Sequence, residues 1–156
     1  MRRTGFIAGA LLILATTGQA ADTITFNLTN ATGSSVTRNS TFTTCSPPGS
    51  SCTVPVSISN GTTGVIAHQA VNGATVAPLL IARYYYLSSG ITKSCQLTVR
   101  VNKVSGNPTQ CQPGSLSYSF LPTDGTGSSP VCGGVTLPVA PDYPDCTFVL
   151  AATMTN

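Results

Sequence analysis

The chain has 156 residues, of which only 7 are basic and 4 acidic, with a single histidine. So sparse a charge set excludes binding to nucleic acid or anionic membrane through a dense basic patch, which counterion release requires. Apolar residues make up 41% and fall in periodic runs. That excludes the disordered class and leaves a surface built from Thr, Ser, Asn and Gly.

Residues 1–20, "MRRTGFIAGALLILATTGQA", carry Arg2 and Arg3, then an apolar run from Phe6 to Ala15, then small residues up to Ala20. This is the pattern of a secretory signal peptide cut after Ala20, and the apolar run is too short for a membrane anchor. Residues 21–156 are then expected to be one secreted domain of the periplasm, cell surface or medium. The short, Arg-led leader points to a bacterium. No later run predicts a transmembrane segment, since "VAPLLIA" is interrupted by Pro78 and followed by Arg83.

The following sequence reads as short strands. In "DTITFNLTNAT", Ile24, Phe26 and Leu28 alternate with Thr23, Thr25 and Asn27, the period of a half-buried strand. A Thr-rich strand follows in "VTRNSTFTTC", where Val36, Arg38, Ser40 and Phe42 share a parity. "TVPVSIS" and "TGVIA" flank Asn60-Gly61, suited to the positive backbone angles of a type I′ hairpin, and Asn72-Gly73 repeats the signal. Residues 79–87 are the most apolar of the mature chain and predict a central strand covered on both faces.

After "SSG", residues 91–104 set Cys95, Leu97, Val99 and Val101 against Gln96, Thr98, Arg100 and Asn102. "LSYSFL" directs Leu116, Tyr118 and Phe120 inward. A short "VTL" strand precedes "TFVLAATM", in which Phe148, Leu150, Ala152 and Met154 share a face. No stretch has a sustained helical period with caps. The expected fold is all-β: an antiparallel β-sandwich, Ig-like or jelly-roll-like, of about eight or nine short strands, with a closed β-barrel as the alternative.

Six cysteines, Cys45, Cys52, Cys95, Cys111, Cys132 and Cys146, all follow the leader. An even number in an exported chain predicts three disulfides. No pair has CxxC spacing and His68 is remote from all of them, which argues against a zinc site. Sequence does not select the connectivity. Bridging of neighbours, Cys45–Cys52, Cys95–Cys111 and Cys132–Cys146, is expected because each pair brackets a Pro/Gly-rich turn.

Catalytic signals are thin. His68 in "IAHQAV" has no acid at recognisable spacing, there is no GxSxG elbow, and no cysteine is left over as a nucleophile, so the chain reads as non-enzymatic. Asp142 and Asp145 in "PDYPDC" sit beside Pro141 and Pro144 and read as turn chemistry rather than as a glycosidase pair. No cofactor is expected. The one metal option is Ca²⁺ near Asp124 in "TDGTG" or near Asp142, without the acidic density of a calcium loop.

"RYYY" is the most suggestive cluster: Tyr84 and Tyr86 share one face of a strand and, with Arg83, could stack on a sugar or anchor a protein. Packing of both strand faces is the favoured reading. Asn27, Asn30, Asn39 and Asn60 head glycosylation sequons, which an Asn- and Thr-rich chain produces by composition alone.

These features describe an exported, non-catalytic structural or adhesive module with a protein or glycan partner, whose near-neutral surface does little to repel a second copy. Ile24, Phe26 and Leu28 suit a donor strand inserted into the next subunit of a fibre, main-chain bonds giving affinity and alternate side chains giving register. With an apolar final strand available, packing into their own domain is the favoured reading. In export, size and strand-rich composition the chain is broadly similar to bacterial chaperone-usher pilins, a resemblance that implies a fimbrial-type subunit. It departs from them in having six cysteines, where a single bridge is common, and in lacking an aromatic-rich alternating C-terminal motif beyond Phe148 to Met154. The remaining option is a solitary secreted binder, lectin-like, an enzyme inhibitor or a small effector, with disulfide-clipped loops as its contact surface.

Overall fold

The computed structural model describes residues 22–71, 76–104, 110–123 and 130–156; the expected leader, Asn72-Gly73 and Asp124 lie outside them. The described residues are all-β, with ten strands: β1 (Thr23–Ala31), β2 (Val36–Ser46), β3 (Ser51–Thr53), β4 (Ser57–Ile58), β5 (Thr63–Gln69), β6 (Leu79–Ser88), β7 (Ile91–Val101), β8 (Leu116–Pro122), β9 (Val131–Cys132) and β10 (Thr147–Thr155). They form two five-stranded sheets. Sheet A has the order β3-β5-β1-β10-β9 and sheet B the order β4-β2-β6-β7-β8. Both sheets are open, so the closed barrel is excluded and the architecture is sandwich-like.

The period-2 alternation places the core. β1 and β10 have the same burial pattern, with every second residue from Ile24 to Asn30 and from Phe148 to Met154 buried. In sheet B, Leu80, Ala82, Tyr84 and Tyr86 of β6 face Leu97, Val99 and Val101 of β7 in the same layer. The two inner faces meet across the interior, where the Phe26 and Phe120 rings lie 6.0 Å apart. Phe26, Phe148, Ile24 and Leu150 are fully buried, and each such side chain contributes about 1.5–3 kcal/mol of transfer free energy.

Four expectations are corrected. First, not every ladder is antiparallel: β1 runs parallel to β10 from Thr23↔Thr147 to Ala31↔Thr155, while pairing antiparallel with β5 on its other side. Second, Asn60-Gly61 does not close a hairpin. β4 pairs with β2 in sheet B and β5 with β1 in sheet A, so the turn carries the chain from one sheet to the other. The tight hairpin is instead at Ser89-Gly90, both with positive φ, between the paired residues Ser88 and Ile91.

Third, β6 is covered on one face only. Leu79, Ile81, Arg83 and Tyr85 are half-buried on the outer side of sheet B. Fourth, Tyr118 shares its parity with Phe120 but is 41% exposed, because β8 is the edge of sheet B and the inner face there is only partly covered.

Three disulfides are present, Cys45–Cys52, Cys95–Cys132 and Cys111–Cys146. The last two replace the expected neighbour bridges. Cys95 on β7 and Cys132 on β9 belong to different sheets, so their bond ties sheet B to sheet A; strands stacked across a sandwich need not be neighbours in sequence. Three disulfides fit an oxidising compartment, extracellular or periplasmic. Among the described residues no helix is long and apolar enough to cross a membrane.

Candidate binding face

The outer face of sheet B carries the most distinctive arrangement on the molecule, and it starts from an irregularity in β2. Asn39 pairs with Arg83 and Thr44 with Ile81, so the four residues Ser40 to Thr43 stand opposite Ala82 alone. Asn39 holds this bulge: its Oδ1 accepts from the Thr41 amide at 3.1 Å and its carbonyl from the Thr43 hydroxyl at 2.9 Å. Bulges re-aim side chains. Here Phe42, whose parity in an unbroken strand would match Val36, is turned outward, 44% exposed, with the Arg83 guanidinium 3.7 Å from its ring centre.

Arg83 Nη2 donates to Gln96 Oε1 at 2.8 Å, while its Nε is buried with no partner. The register continues the row outward to Leu121, 59% exposed, since Gln96 pairs with Leu121. Tyr85 lies in the next row beside Ser94, whose hydroxyl is 2.6 Å from that of Thr123. On the opposite flank, Thr98, Ser117, Tyr118 and Ser119 line a shallow groove of about 160 Å³. The face is thus amphipathic: an aromatic ring stacked on a cation, amide and hydroxyl groups beside it, and exposed apolar carbon at its rim.

Of the cluster singled out in "RYYY", Arg83 and Tyr85 lie on this face. Tyr84 and Tyr86 point into the core and are corrected as ligand contacts. The Tyr84 hydroxyl donates to the Pro55 carbonyl at 2.8 Å, and burial pushes its pKa up against the pull of Arg38. The Tyr86 hydroxyl lies 3.1 Å from Asn156 Oδ1. Ile24, Phe26 and Leu28 are fully buried in their own sheet, between β5 and β10.

No protein-family model matches the chain, and no curated protein matches it significantly.

The remaining candidates lie in the core or in turns. His68 is fully buried opposite Ile24 and Cys52, and neither ring nitrogen has a hydrogen-bond partner. Burial lowers its pKa, while the Ser46 backbone and Asp22 pull it upward. Asp22 forms a buried ion pair with Lys103. Asp142 Oδ1 accepts from the Asp145 amide at 3.3 Å and the Asp142 backbone pairs with Thr147, so both aspartates shape the turn before β10. Among the described residues no three His, Cys, Asp or Glu side chains converge as metal ligands.

Asn30 of the second sequon is buried, its amide donating to the Ser34 and Ile58 carbonyls at 2.8 Å each. Neither this locking role nor the β2 bulge has a local sequence signature. The one available hint was Phe42 among hydroxyl residues, too polar a setting for a core aromatic.

Proposed function

We propose that the protein is an exported, non-catalytic adhesive or structural binding module of the bacterial periplasm or cell surface, an Ig-like or jelly-roll-like sandwich that offers one face to a glycan or protein partner. The observation that carries this reading is Phe42, held by the β2 bulge with Arg83 on its ring and Gln96 and Tyr85 alongside. An exposed aromatic ring pre-positioned on a sheet gives stacking area at little entropic cost, and neighbouring amide and hydroxyl groups supply direction. A glycan array probed with the full chain and with Phe42→Ala tests it. The wild type should select a discrete set of glycans and the variant lose about tenfold in affinity, the scale of one stacked aromatic. An array silent to wild type, or an unaffected variant, counts against the glycan partner.

A second reading, a fimbrial-type subunit assembling by its first strand, is favoured by the position of β1. It is hydrogen-bonded along its length on both sides, so a neighbour's β1 in the same slot would make the same ladders. Protein with and without residues 21–32 can be compared by sedimentation and thermal melting. Ordered fibres that vanish on truncation support strand exchange. A chain that stays monomeric when concentrated, and melts lower when truncated, defeats it.

A further inference from the structure

Five cations follow the leader, and their partners separate them. Arg38 donates to the Val54 carbonyl, Lys93 to Asn156, and Lys103 pairs with Asp22. Arg83 and Arg100 remain, both on the outer face of sheet B. Arg83 has a neutral partner, Gln96; Arg100 is exposed, with no side-chain hydrogen bond or ion pair among the described residues. No acidic residue of the described chain shares this face: Asp22 is buried at the start of β1, and Asp142 and Asp145 lie in the turn before β10. The exposed faces of β1, β5 and β10 in sheet A carry no charge at all.

The backbone positions of the two arginines are set apart by the strand register. Arg83 pairs with Gln96, and Arg100 is four residues further along β7, about 13 Å at the rise of a strand. Between them lies the groove lined by Thr98, Ser117 and Ser119. That spacing is too wide for one small anion to bridge. Two cations are also too few for nucleic acid or an anionic membrane, which draw their affinity from many phosphate contacts. A partner that suits the face is extended, is covered in hydroxyl groups, and carries a negative charge at intervals.

We propose that the outer face of sheet B binds an acidic polysaccharide, a uronate-containing chain lying along β6 and β7. Carboxylates a few sugars apart meet Arg83 and Arg100, its hydroxyls meet Gln96, Thr98 and Ser119, and one sugar ring packs on Phe42. The assignment rests on the binding-face reading above and names its ligand class.

The test uses the full chain with polygalacturonate as the probe and dextran as the neutral control, measured by calorimetry at low and high salt. Polygalacturonate should bind at low salt and weaken as salt screens the exposed charges. Arg100→Gln should lose about threefold to fivefold in affinity, the scale of one exposed charge contact, and Lys93→Gln should lose nothing. Arg100 is exposed, so its replacement leaves the core intact; matching thermal melts check this. An unaffected Arg100→Gln, or an equal loss in Lys93→Gln, overturns the proposal. If Phe42→Ala abolishes binding to an array glycan while polygalacturonate does not bind, the acidic ligand is wrong and the binding face stands. Binding of wild type to neither probe ends the acidic ligand and the glycan partner together.

Discussion

His68 is held without a partner for either ring nitrogen, in an interior that penalises charge. Burial keeps its folded-state pKa below the ordinary 6.5, so at acidic pH the unfolded chain takes up a proton that the folded chain resists. The stability linked to His68 is therefore complete above about pH 6.5 and is lost as pH falls below it, at about 1.4 kcal/mol for each unit of depression. Thermal melts from neutral pH down to about pH 5 should show wild type losing more stability than His68→Leu, an apolar side chain of similar reach. Parallel decline in the two would show that other groups govern the acid response. The sequence showed no acid at recognisable spacing from His68, and Asp22 comes near it only through the pairing of β1 with β5. The burial of His68 was not legible, because a polar residue at an inward parity reads as a strand end until the pairing with Ile24 and Cys52 is known.

Among the strands, what was legible depended on how much of the alternation one sheet face explains. β1, β7 and β10 were readable because their inner faces carry consecutive apolar residues, Ile24 to Leu28, Cys95 to Val101 and Phe148 to Met154. β2 was misread because its bulge reverses the parity between Asn39 and Thr44, and nothing in "NSTFTT" distinguishes a bulge from a continuing Thr-rich strand. The disulfides failed for a related reason: turns are local signals, whereas Cys95–Cys132 joins strands that meet only because the two sheets stack. This bridge also closes the longest loop, with a sequence separation of 37 against 7 for Cys45–Cys52. On the loop-entropy model the first is worth about 4 kcal/mol and the second about 2. Denaturant unfolding of Cys95→Ser/Cys132→Ser should accordingly show the larger loss of stability than Cys45→Ser/Cys52→Ser; the reverse order would mean that the bridges act through native-state contacts.

For the molecule as a whole, composition and periodicity were enough to indicate two packed β layers, since a Thr- and Val-rich chain with frequent turn signals buries its apolar rows face to face. They could not indicate which strands sit side by side. The parallel pairing of β1 with β10 is invisible locally, because it joins the two ends of the described chain. The same pairing orders events in time. β1 comes first in chain order among the described strands, and β10, which completes its ladder, comes last of them. Until β10 is delivered, Ile24, Phe26 and Leu28 have only β5 beside them and an unpaired row of backbone groups on the other edge. Such distant contacts fold slowly and leave sticky edges open meanwhile. The folding chain thus passes through an interval in which its own β10 and the same strand of a second copy compete for one vacant edge.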